Sequence, residues 1–215
     1  MSEEDFYLAE PSGPTAGGAG VLVMHDWYGL LPHVRSACDE LAAAGLVALA
    51  PDVYDGRTTT DPEQAEALMR DLDDAKAGAR VDAAIADLRE RTGGGPVGGL
   101  GYSMGGFRVL LQATTGAFDA VAVYYAALDE GDAASIHCPV RLHLAEVDEF
   151  DSPEFFGGFI AALEAGGTEV QSHTWPATKH SFANRDVALY APKQSGDAWS
   201  ITVEFLRDHL RAATG

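Results

Sequence analysis

The residues that could do chemistry begin with the run Gly101-Tyr102-Ser103-Met104-Gly105. A serine with glycine two positions away on each side can occupy a sharp strand-to-helix turn. That turn strains the serine backbone and exposes its hydroxyl as a nucleophile. Side chains at the glycine positions would clash there. Gly106 adds room. The chain holds 24 glycines, so the match is weak by itself. Its weight comes from context, with an apolar run before it and a helical pattern after it. The same glycines, read as Gly99-x-Gly101-x-x-x-Gly105, loosely resemble a dinucleotide-binding loop. That motif belongs in the first βαβ unit, with an acidic residue ending the second strand. Here the glycines lie mid-chain and Asp119 precedes its strand, so nucleotide binding is disfavoured.

Serine is a poor nucleophile unless a base takes its proton and a third group orients the base. Around such a turn the chain order is serine, acid, histidine. His180, in Pro176-Ala177-Thr178-Lys179-His180-Ser181-Phe182, falls between a strand-like run and the last helical pattern, where the base belongs. The other histidines fit less well. His25 and His33 precede the serine, His137 and His143 lie before or in the strand that should carry the acid, His173 reads as strand, and His209 lies in the terminal helix. The acid should follow the run Val140 to Ala145. Asp148 is the preferred candidate, and Glu146 and Asp151 compete with it. A tetrahedral intermediate also needs backbone donors. One is the N–H of Met104; the other should come from the early loop His25-Asp26-Trp27-Tyr28-Gly29, where Trp27 is the best candidate.

These residues need a scaffold, and the pattern of the chain supplies one. Strand-like runs fall at Phe6 to Ala9 (a short edge strand), Val21 to Met24, Leu46 to Ala50, Pro96 to Gly101, Ala120 to Tyr125, Val140 to Ala145 and Glu169 to Trp175. Between them lie helical patterns. One opens at Pro32, a favoured first helical position, and stops at Gly45. Asp61 can cap another that starts at Pro62, with Gln64 as capping-box partner. Others run from about Asp74 to Arg91, from Gly105 to Thr115 and from Pro153 to Ala165. Asp197 can cap a closing helix that reaches Leu210. Continuous apolar strands alternating with helices predict an α/β fold, with a mostly parallel sheet covered on both faces. The glycine-rich stretches at 13–20 and 93–95 read as loops of one domain spanning 1–215.

Length and composition agree. A chain of 215 residues builds one well-buried core, and 47% hydrophobic with 22% charged residues is ordinary for a soluble globular protein. The net charge of −19 repels nucleic acid and anionic membranes. Low lysine with high Asp and Glu would suit a salt-rich cytoplasm. The acidic start, without a basic and apolar leader, and the lack of a long apolar run predict a cytoplasmic protein that does not enter membranes. Cys38 and Cys138 make no disulfide framework and have no metal-ligand spacing, so neither metal nor cofactor is expected.

Taken together, these pieces resemble the dienelactone hydrolase family across nearly the whole chain. The matching segments are His25-Asp26-Trp27-Tyr28-Gly29-Leu30, Leu49-Ala50-Pro51-Asp52-Val53-Tyr54 and Gly101-Tyr102-Ser103-Met104-Gly105-Gly106. The loop at Asp148, Ala177-x-x-His180-Ser181-Phe182 and Ala198-Trp199 also match. The resemblance implies an eight-stranded α/β-hydrolase sheet without a large lid, and small ester or lactone substrates. There are departures. Well-known members carry cysteine where this chain has Ser103. Asp26 stands in place of a family glutamate and is one methylene shorter. Asn184 stands where dienelactone-cleaving members hold a substrate carboxylate with arginine; Arg185 is next to it, and Arg57 is another candidate anion contact. These departures weigh against dienelactone itself. Tyr28, Tyr54 and Tyr102 are expected, with Trp27, to line the pocket. The leading expectation is a cofactor-free serine esterase or lactonase, monomeric or a small homo-oligomer. The alternatives are a thioesterase or small peptidase, or a non-catalytic binding protein of the same fold.

Overall fold

The apolar runs become the strands of one sheet. The computed structural model describes residues 6–13 and 18–211, so the glycine-rich loop predicted at 13–20 lies partly outside the described residues, at 14–17. The strands are β1 (Phe6–Ala9), β2 (Gly20–Met24), β3 (Val47–Pro51), β4 (Val97–Tyr102), β5 (Ala120–Tyr124), β6 (Val140–Val147) and β7 (Val170–Lys179). Their order across the sheet is β1-β3-β2-β4-β5-β6-β7. Every pairing is parallel except that of β1, which runs antiparallel to β3 at one edge. The family resemblance implied eight strands, whereas the described residues form seven.

The described residues form seven helices: α1 (Pro32–Ala43), α2 (Pro62–Arg70), α3 (Asp74–Arg91), α4 (Met104–Ala113), α5 (Glu130–Ala133) and α6 (Pro153–Ala165) between strands, and α7 (Pro192–His209) after the last one. Side chains alternate across each strand, so one sheet builds two cores. Val21 and Val23 of β2 face α1 and α7, packing among Val34, Leu41, Phe205 and Leu206. Leu22 and Met24 face the other way, into a core shared with α3, α4 and α6. Among the described residues no helix is long and apolar enough to cross a membrane.

Some local expectations need correction. The side chain of Asp61 accepts the Gln64 N–H at 3.0 Å. Gln64 does not complete the capping box, because its side chain accepts the Thr59 hydroxyl at 3.1 Å and the Asp61 N–H goes to that same hydroxyl oxygen at 3.0 Å. The last helix starts at Pro192 rather than after Asp197. The fixed φ of proline suits a first helical position. Asp197 instead pairs with Lys193 one turn earlier, at 2.6 Å.

Candidate active site

Five loops at the carboxyl ends of the parallel strands converge, where open α/β sheets place their ligands. The turn after β4 carries Ser103, which has φ 51° and ψ −119°. A positive φ is costly for a residue with a side chain and recurs at functional turns. Ser103 is held there by its N–H, which donates to the Tyr124 carbonyl at 3.0 Å. The glycines are needed for contact. A Cβ on Gly101 would lie 2.6 Å from the Gly106 nitrogen, and one on Gly105 would fall on the His25 carbonyl. Three other non-glycine residues with positive φ stand on the neighbouring loops, Tyr125 after β5 and Ala177 and Ser181 around His180.

Ser103 Oγ lies 2.7 Å from His180 Nε2. The Nδ1 of the same ring lies 2.8 and 3.0 Å from the two oxygens of Asp148, whose side chain is 3% exposed. Asp148 Oδ1 also accepts the Phe150 N–H at 3.0 Å, which fixes the carboxylate. Its two competitors stand in other surroundings. Glu146 accepts the Ala177 N–H at 2.8 Å. Asp151 faces the cavity beside His180, and burial, with the charge of Asp148, pushes its carboxyl above the usual carboxylate range. The strand pairing carries this geometry. A register shift between Ala145 and Val147 in β6 and the β7 strand leaves the His180 N–H on the Val147 carbonyl at 3.2 Å.

Met104 is the first residue of α4, so its N–H has no intrahelical acceptor. Trp27 lies across the same cavity. The loop that carries Trp27 is tied down on both sides. Asp26 is fully buried, and its carboxylate accepts the Tyr28 N–H at 2.9 Å and the Asn184 side-chain amide at 2.8 Å. Asn184 follows His180 by four residues, so Asp26 links the early loop to the histidine loop. Asp26 is not among the residues that line the cavity.

The cavity over Ser103 measures about 330 Å³. Of the pocket residues expected from sequence, Trp27 is on its wall with Ser103, Met104 and His180. The others lie elsewhere. Tyr28 packs edge-on against Trp27 with ring centroids 5.5 Å apart, on the side where Ala65 of α2 is buried. Tyr54 is buried behind the site, and its hydroxyl donates to the Met104 sulfur at 3.3 Å. Tyr102 and Arg185 border a separate cavity of about 150 Å³ between α1 and α7, where Arg185 bonds Ser36. Arg57 is exposed and donates through Nε to the Tyr54 carbonyl at 3.0 Å. Sequence reasoning missed Met69, Phe107, Tyr125, Phe150 and Phe155 on the cavity wall. Phe150 did leave a signal, as an aromatic inside the acidic stretch from Glu146 to Asp151. Among the described residues no cluster of three or more His, Cys, Asp or Glu has metal-holding geometry.

Residues 5–210 match the dienelactone hydrolase family. The chain is 32% identical to Protein usf of Aquifex pyrophilus, a match covering 95% of this chain and 93% of that one. It is 30% identical to a carboxymethylenebutenolidase of Rhodococcus opacus, over 93% of this chain and 84% of that one. Among solved structures it resembles a dienelactone hydrolase-like promiscuous phosphotriesterase from metagenomic libraries. There the TM-score is 0.80 at 19% identity, with 95% of this chain and 99% of that one covered, a likeness of fold.

Proposed function

The chain belongs to the dienelactone hydrolase family, and from that premise we propose that it is a serine hydrolase of small carboxylic esters and lactones. The observation that carries the reading is the 2.7 Å approach of Ser103 Oγ to His180 Nε2 on the wall of an open cavity. His180 takes the Ser103 proton as Oγ attacks the ester carbonyl. Asp148 accepts the Nδ1–H of the ring, fixes its tautomer and stabilises the imidazolium that forms. The N–H groups of Met104 and Trp27 hold the oxyanion, each contributing about 3 kcal/mol of transition-state stabilisation. His180 returns the proton to the leaving alkoxide, which departs as the alcohol. Water, deprotonated by His180, then attacks the acyl-Ser103 carbonyl and releases the acid. A lactone follows the same steps, with its alkoxide staying attached to the acyl group.

The test is a fluorophosphonate probe together with a p-nitrophenyl ester. Native protein is expected to be labelled and to turn over the ester, and Ser103→Ala to lose both. No labelling of native protein, or undiminished turnover in Ser103→Ala, overturns the proposal.

A further inference from the structure

The walls above Ser103 carry no lysine or arginine. The rim is apolar instead. Met69, Phe107 and Phe150 border the cavity and are 42%, 48% and 54% exposed. Large apolar side chains gathered around one opening mark a binding surface. Phe150 is held in place there, its ring edge-on to Trp27 at 5.7 Å and to His180 at 4.5 Å between centroids. Leu128 and Phe155 continue the apolar wall.

The ionisable side chains on the same wall are His180, Asp129, Asp151 and Tyr125, and burial pushes the Tyr125 phenol upward so that it stays neutral. Burial and the charge of Asp148 push the Asp151 carboxyl upward, the direction that goes with a wall unfavourable to further negative charge. Three candidate arginines are bonded to other groups. Arg57 and Arg185 are bonded as described above, and Arg108, one residue beyond Phe107, pairs with Asp74 at 2.6 Å.

We propose that this site selects uncharged, apolar esters, seating an aryl or medium alkyl group against Met69, Phe107 and Phe150, and discriminates against esters that carry a carboxylate. The inference rests on the serine-hydrolase reading above. An anionic group brought within about 7 Å of Asp129 or Asp151 loses about tenfold in kcat/KM for each carboxylate. Added salt screens the long-range part of the effect, from the net charge of −19, more than the part from the cavity wall.

The test compares p-nitrophenyl hexanoate with mono-p-nitrophenyl adipate, in which a carboxylate replaces the terminal methyl. Native protein is expected to prefer hexanoate by at least about tenfold in kcat/KM, with part of that preference surviving in about 0.5 M salt. Asp151→Asn alone, and Asp129→Asn with Asp151→Asn, are expected to narrow the ratio stepwise. Equal or faster turnover of the adipate by native protein, or a ratio that neither variant moves, overturns this inference; the hydrolase reading then still stands on hexanoate turnover. No turnover of either ester overturns both.

Discussion

Glu146 stands near the end of β6, with Asp148 and Asp151 in the loop that follows, and their surroundings differ. The Ala177 N–H engages Glu146, His180 engages Asp148, and Asp151 faces the cavity. Of the three, Asp148 is the one within hydrogen-bond distance of the His180 ring. Asp148→Asn is therefore expected to lower kcat by about 10³–10⁴ on a neutral ester, and Asp151→Asn by less than tenfold. Steady-state kinetics on p-nitrophenyl hexanoate measures both, and a larger loss at Asp151 than at Asp148 rejects the assignment. The glycine-flanked serine run brought Ser103 into view from the sequence, and chain order added His180 and the acidic stretch after β6. Sequence preferred Asp148 and left Glu146 and Asp151 competing, because what separates them in space is the register shift between β6 and β7. The aromatic pocket expectations fared worse for a related reason. Tyr28 and Tyr102 stand next to site residues in the chain, but chain neighbours need not share a face, and on a strand they alternate. Tyr102 accordingly faces the α1 and α7 core while Ser103 faces the cavity.

The contact between β4 and α4 is the element on which the site turns, and its tolerance is close to zero. A methyl on Gly105 meets the His25 carbonyl and the Met24 backbone, neither of which can move without displacing β2. Gly105→Ala is expected to cost about 1–3 kcal/mol of stability, the usual range for overpacking, and to weaken fluorophosphonate labelling of the folded fraction. Denaturant unfolding and a labelling time course check the two effects separately. Unchanged stability with full labelling would show that the turn has room the geometry does not. Elements with local signals were the legible ones. Pro32, Pro62 and Pro153 each start a helix, and Gly45, with φ 91°, ends one. Where competing signals met, the sequence misled. Asp197 looked like a cap, but Pro192 starts α7 a turn and a half earlier. Pro176 looked like the end of β7, yet the strand continues to Lys179. It can do so because β7 is an edge strand, where a missing N–H leaves no ladder bond unmade. The four residues of α5 are too few to show a period.

At the scale of the whole molecule, acid stability sets two effects against each other. The chain has 33 acidic and 14 basic residues, so mild acid relieves self-repulsion as carboxylates protonate. Two buried histidines oppose this. Val53 N–H donates to His25 Nε2 at 3.3 Å, and Trp175 Nε1–H donates to His143 Nδ1 at 3.1 Å. A ring nitrogen that accepts a hydrogen bond carries no proton, so both imidazoles are neutral. The other nitrogen of each donates, His25 Nδ1 to the Asp26 carbonyl at 2.6 Å and His143 Nε2 to Thr202 Oγ1 at 3.0 Å. Burial holds both below the ordinary histidine value, and the charge of Arg141 adds to the effect at His143. The unfolded chain takes up these two protons as pH falls through about 6.5 while the native state does not, so stability is flat above that point and is lost below it. With both histidines contributing, the slope approaches about 2.7 kcal/mol per pH unit. Carboxylate relief comes later, because the ordinary carboxylate range lies about two units lower. Unfolding free energy measured from about pH 8 to about pH 5.5 should therefore hold level and then drop, with no maximum at the acid end. A maximum near pH 5.5 would mean that relief of the net charge outweighs two buried neutral imidazoles.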